Sequence, residues 1–160
     1  MSLQIIILFI LMSIHLLYQK KFNQVSQILP NLFLGNKYSP NNKYDLIINC
    51  STDLPNIIDN TINIKLKDLP QEADNMYKQI NEKNVLEEIH LNLQKNNKVL
   101  IHCHMGMQRS AAITACYLIK YHKYTIEDAI NFIKSKRKIA FFFKVNFIKT
   151  IKKIANDINN

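Results

Sequence analysis

Two short segments of this chain are apolar at nearly every position. "YDLIINCS" (44–51) and "KVLIHC" (98–103) are compact runs of the kind that form strands covered on both faces. "INIKLKD" (62–68) alternates instead, with Ile62, Ile64 and Leu66 on one face and Asn63, Lys65 and Lys67 on the other. "QILPNLFLGN" (27–36) reads as a short strand or hairpin edge closed by Gly35. Elsewhere the period is helical. Met76, Ile80, Val85, Ile89 and Leu93 are the inward positions of a helix over 75–95. Residues 110–122 form an apolar helix that opens on Ser110, Ala111 and Ala112. Thr125 caps a helix running to Lys136, with Asp128 in its first turn, and a last helix over 144–158 carries Phe147, Ile148, Ile151 and Ile154 on one stripe. Strands alternating with helices predict an α/β fold: a central, mostly parallel sheet of four to five strands flanked by helices.

The pattern divides the chain into an apolar N-terminal helix (1–22) and one folded domain (23–158). "LQIIILFILMSIHLLY" has neither a basic leader region nor a small-residue cleavage site, so it does not read as a cleaved signal. Its uninterrupted run, Ile5 to Met12, is short for a membrane span, and Gln4, Ser13 and His15 interrupt the rest. Three readings stay open: a helix packed on the domain, a contact in a homodimer, and a membrane anchor through residues 3–18. The first two rank together ahead of the third.

Composition changes this picture in two respects. The net charge is +9, and eight basic residues lie between Lys134 and Lys153 with no acidic residue from Ala129 to Asn156. A solvated helical face accounts for most such runs. The sharper reading is a patch that steers an anionic partner, but no aromatic-interleaved basic motif or zinc-finger spacing makes nucleic acid the expected one. The three cysteines, Cys50, Cys103 and Cys116, do not make a disulfide framework and suit a reduced setting.

The chain has only two arginines and two glycines against 19 lysines. One of each falls in "HCHMGMQRSA" (102–111), between a predicted buried strand and a predicted helix. In open α/β sheets that is where ligands bind. The amides of His104, Met105, Gly106, Met107, Gln108 and Arg109, with the positive end of the following helix, can cradle an anion. Gly106 permits a turn that a side chain would obstruct. Arg109 offers a bidentate fork to two phosphate oxygens. A thiol placed like Cys103, beside a helix N-terminus and an arginine, is activated as a thiolate nucleophile for phosphoryl transfer. Ser110 can donate to that sulfur when it leaves, and His102 can orient the loop. His102 and His104 flank Cys103, yet a further ligand is missing, so no metal or cofactor is expected.

"HCHMGMQRS" resembles the His-Cys-x-x-Gly-x-x-Arg-Ser signature of the cysteine-dependent protein tyrosine phosphatase superfamily. The chain length and the flanking segments "ILPNLFLGN", "LIINCS" and "SAAITACYLIKYHKYTIEDAINFIKSKR" are similar to the dual-specificity phosphatases, from about Gln27 to Ile154 and including Arg137. After Arg137, "KIAFFFKVN" departs from the family pattern, which often has a Pro or Gly turn there.

The resemblance implies a protein phosphatase that hydrolyses phosphotyrosine and phosphoserine/threonine through a phosphocysteine, with phosphorylated proteins as partners. It implies a general acid on a loop before the cysteine. Asp68, which ends the alternating segment, matches that position, at a separation from Cys103 a few residues longer than is common. Asp74 on the same loop is the alternative, although it also fits a plain helix-start carboxylate. Cys50 ends a strand where some relatives keep a cysteine that forms a disulfide with the nucleophile; a buried core thiol is the plainer reading. Small viral, poxvirus-type members use an N-terminal helix to dimerise, which favours a homodimer here. They imply a cytoplasmic setting (host cytoplasm or virion), with membrane tethering as the lesser alternative. An RNA 5′-triphosphatase of the same superfamily is weaker, because Gln108 and Ser110-Ala111 stand where that group has other residues. A catalytically silent phosphate-binding module is opposed by the intact Cys103, Arg109, Ser110 and Asp68.

Overall fold

The computed structural model describes the backbone of residues 3–22 and 25–159, and the side chains of these except 15–22 and 159. The domain opens on an antiparallel hairpin, β1 (Ser26–Leu29) and β2 (Leu32–Gly35), turned through Asn31 at φ +62°. β3 (Leu46–Asn49) and β5 (Val99–His102) are buried at all four positions, as their unbroken apolar runs require. β4 (Thr61–Asn63) forms one edge, and the sheet order is β1-β2-β5-β3-β4. All pairs except the hairpin are parallel. Gly35 and Asn49 both pair with His102, so β2, β5 and β3 end level at their carboxyl edge.

Among the described residues, six α-helices accompany the sheet: α1 (Leu3–Phe22), α2 (Ala73–Glu82), α3 (Val85–Gln94), α4 (Arg109–His122), α5 (Ile126–Lys136) and α6 (Ile148–Asn159). α4 is the central one, buried from Arg109 to Ile119 and packed against α5, α6 and β5. The Thr125 cap forms as the sequence predicts, its Oγ1 accepting from the Asp128 amide at 3.1 Å.

Three boundaries differ from the periodic pattern. The helix expected over 75–95 is two helices, broken at Asn84 with φ +49°. Ile80 and Val85 are five residues apart, which in a continuous helix would swing Val85 about 140° off the stripe. The break returns it inward, so Met76, Ile80, Val85 and Ile89 are all buried, and asparagine is among the residues that tolerate the left-handed turn. β4 stops at Asn63 because its neighbour β3 stops at Asn49. The alternation still holds to Leu66, since Ile64 and Leu66 are fully buried and Lys65 is exposed. The last helix begins at Ile148 rather than 144, because the backbone before it is engaged elsewhere, as described below.

Residues 3–14 of α1 are exposed along their length, and their apolar side chains form no single stripe. Among the described residues, no helix is long and apolar enough to cross a membrane.

Candidate active site

The loop from Cys103 to Gln108 connects β5 to α4 at the level carboxyl edge of the sheet. Four successive carbonyls of this loop are tied outward. His104 O accepts from the Lys37 amide at 3.1 Å, and Met107 O from the Phe141 amide at 2.8 Å. Between them, Met105 O accepts from Arg137 Nη2 at 3.1 Å and Gly106 O from Arg137 Nε at 2.8 Å. Across a trans peptide the next N–H points away from the carbonyl, so outward carbonyls set the amides of residues 105–108 inward. That orientation builds a concave anion cradle, and the amino end of α4 adds its positive dipole end to it.

The chain's two glycines meet at this cradle. Gly106 has φ +64°, and a Cβ there would stand 2.4 Å from Gly35 O and 2.8 Å from Arg137 Nη2. A Cβ on Gly35 would in turn stand 2.3 Å from Ser39 Oγ. Its two arginines meet there as well. Arg137, almost fully buried, holds the outside of the loop and also reaches Ser26 Oγ at 3.4 Å. Arg109, equally buried, lies on the other side. Its Nη1 donates to Leu66 O at 3.1 Å and to Cys50 O and Ser51 Oγ at 3.4 Å. Its buried Nε has no hydrogen-bond partner among the described residues, a donor left for an anion.

Cys103 is buried at the base of the loop. Its sulfur accepts the Gly106 amide at 3.2 Å and lies 3.2 Å from Ser110 Oγ. Asp68 faces Arg109 across the site, with Oδ2 3.7 Å from Nε. The other carboxylate oxygen, Oδ1, accepts from Asn146 Nδ2 at 3.1 Å. Asp74 is engaged elsewhere: Lys149 and Lys153 donate to it at 2.6 and 2.8 Å, and these two bonds pull its carboxyl down to about 2. An aspartate held ionised by two lysines is a poor proton donor.

His102 is buried, and burial, with the His104 charge adding, takes its imidazole down to about 4. It is therefore neutral at pH 7, and its Nδ1 has no partner among the described residues, so the loop takes no orienting bond from that atom. His104 points outward to Asp53, 2.8 Å from Nε2 to Oδ1. Cys50 donates its amide to His102 O at 2.9 Å, one step past the Asn49–His102 pair, which sets it beside Cys103. Burial raises its thiol well above the usual range; Cys103 raises it further and Arg109 opposes this.

Sequence reasoning placed Cys103, Arg109, Ser110, Asp68 and the loop, and the fold brings all of them together. It missed what lies around them. The amides of Lys37 and Phe141 leave no mark in the sequence, nor does Asn146, 78 residues from its partner Asp68. Arg137, by contrast, is already part of the family resemblance, and the scarcity of arginine that drew attention to Arg109 marks it too.

Comparison with known proteins shows the family of the chain. The family described as "Dual specificity phosphatase, catalytic domain" matches residues 32–157. A protein of Invertebrate iridescent virus 6 named as a tyrosine phosphatase is 32% identical over 139 residues, covering 84% of this chain and 94% of its own. Human dual specificity protein phosphatase 14 is 27% identical over 139 residues, covering 81% of this chain and 68% of its own. In fold, the chain is similar to human DUSP28, with a TM-score of 0.73 at 19% identity, over 85% of this chain and 95% of that one. The chain belongs to the dual specificity phosphatase family, whose members are protein phosphatases and therefore hydrolases.

Proposed function

We propose that this chain hydrolyses phosphotyrosine and phosphoserine/threonine in proteins through a phosphocysteine intermediate. The observation that carries the reading is the Cys103 sulfur at the floor of a cradle of inward amides, with Ser110 beside it and Arg109 and Asp68 across from it.

The substrate phosphate occupies the cradle, its non-bridging oxygens held by the loop amides and the Arg109 guanidinium. The Cys103 thiolate attacks phosphorus in line, an S–P bond forms, and the bond to the leaving oxygen breaks. Protonated Asp68 gives its proton to that oxygen. In the second step, the Asp68 carboxylate takes a proton from an entering water, whose oxygen bonds to phosphorus as the S–P bond breaks. The Ser110 hydroxyl donates to the departing sulfur. Phosphate leaves, and the thiolate and the Asp68 acid are restored.

Asp68 and Asp74 make different predictions. Asp68→Asn lowers kcat on phosphoserine peptides by about 100-fold and lowers it less on an aryl phosphate with a good leaving group. Asp74→Asn stays within about twofold of wild type on both. Steady-state kinetics on the two substrates checks this, and the reverse ranking would move the acid to Asp74.

Cys50 acts as a redox partner of Cys103 in this reading. Peroxide oxidises the Cys103 thiolate to a sulfenic acid and is itself reduced to water. The Cys50 sulfur then attacks, a disulfide forms, and water leaves. The Cys50 amide bond to His102 O, one step past the Asn49–His102 pair and next to Cys103 in sequence, supports this pairing. Mild peroxide followed by peptide mapping gives a 50–103 cross-link; its absence, with Cys103 over-oxidised instead, removes Cys50 from the role.

A further inference from the structure

We propose that Phe142 and Phe143 form an aromatic platform on the rim of the site that binds an apolar side chain flanking the phosphorylated residue of a protein substrate. This rests on the phosphatase reading above. The two residues lie in the connection between α5 and α6, where three phenylalanines follow one another. Two of the three have left-handed backbone, Phe141 at φ +55° and Phe143 at φ +65°. Bulky side chains rarely adopt that conformation. For Phe141 the burial of its ring compensates, since only 3% of it is exposed. Phe143 is 94% exposed, so burial within the chain offsets nothing. Backbone strain held without such compensation collects at functional sites.

The cradle itself holds Phe143 in place. Gln108 Nε2 donates to Phe142 O at 3.4 Å and to Lys144 O at 2.8 Å, the carbonyls on either side of Phe143. Its Oε1 accepts from the Asn146 amide at 3.1 Å, and Asn146 then reaches Asp68. The segment thus spans from the phosphate loop to the acid, the two elements a substrate phosphate must engage together. A peptide whose phosphorylated side chain reaches Cys103 lays its neighbouring residues over this rim. The Phe142 and Phe143 rings are 4.2 Å apart and tilted by 58°, a two-ring surface on a clamped backbone. Lys138 and Lys144, both exposed, flank it with no acidic residue between them, which suits a phosphopeptide's negative charge. An aromatic surface continuous with the catalytic rim fits an apolar residue next to the phosphorylated one.

The test compares two phosphopeptides that differ only in having Leu or Gly beside the phosphorylated residue. Wild type favours the Leu peptide by about tenfold in kcat/KM, the order expected for partly burying one apolar side chain. Phe143→Asn removes the ring but keeps a residue that accepts the left-handed backbone; the ratio then falls to about one. A wild type without preference, or an unchanged ratio in the variant, overturns the proposal. So does a shift of oligomeric state in Phe143→Asn with the ratio intact, which would assign the rings to a second copy. Equilibrium binding of the same fluorescent peptides reads the preference without turnover. Binding preference with no hydrolysis of any substrate would sink the phosphatase reading and leave the platform standing.

Discussion

Cys103→Ser reduces hydrolysis of a small aryl phosphate by about 10⁴-fold or more, measured near pH 6 with no added metal. An alcohol in place of the thiolate is a far weaker nucleophile at that pH. The amides that surround the sulfur are set by Lys37, Arg137 and Phe141, and Arg109 is held by Leu66, Cys50 and Ser51. None of these contacts involves the sulfur, and the one loop amide that does bond it, Gly106, can donate to a serine Oγ instead, so the cradle persists in the variant. The variant therefore still binds phosphopeptides, and vanadate competes with them. Residual activity close to wild type would remove Cys103 from the role of nucleophile. Loss of both turnover and binding would mean instead that the sulfur holds the loop together.

Gly106→Ala has the largest effect on stability. A left-handed alanine costs about 1 kcal/mol or more, and the new Cβ would meet Gly35 O at 2.4 Å. Neither neighbour can yield easily: Gly35 is paired in the ladder with His102, and Arg137 is buried and holds two loop carbonyls. Overpacking of this kind adds about 1–3 kcal/mol. The sum, roughly 2–4 kcal/mol, lowers Tm by about 5–15 °C for a domain of this size. If the loop yields instead of the fold, Tm is kept and the amides no longer converge, so activity falls while stability holds. Thermal melts and aryl phosphate kinetics on one preparation separate the two results. A variant with wild-type Tm and wild-type kcat/KM would mean that Gly106 is not constrained as described.

Several features could be read from the amino-acid order because they are local. A run such as "KVLIHC" is covered on both faces wherever it is placed, so a central strand follows. Thr125 and Asp128 are three residues apart and cap their own helix. The phosphate loop is likewise contiguous, so His, Cys, Gly, Arg and Ser at fixed spacing already carry its chemistry. The scarcity of glycine and arginine had a meaning that the sequence showed only in part: it marked Gly106 and Arg109, and the fold adds Gly35 and Arg137 at the same cradle.

Tertiary structure alone decided what stands around that loop. The level ending of β2, β5 and β3 brings Gly35 and Cys50 to it from 71 and 53 residues away in sequence from Gly106 and Cys103 respectively. Asn146 on Asp68, and the Gln108 clamp that delays α6 to Ile148, join segments that no local period relates. The sequence favours Asp68 over Asp74 only by its place at the end of the alternating segment; their surroundings separate them further, one facing Arg109 and the other held by Lys149 and Lys153. A residue's type and spacing determine which chemistry it can perform; which charges and backbone groups surround it depends on chain crossings that short-range patterns do not encode.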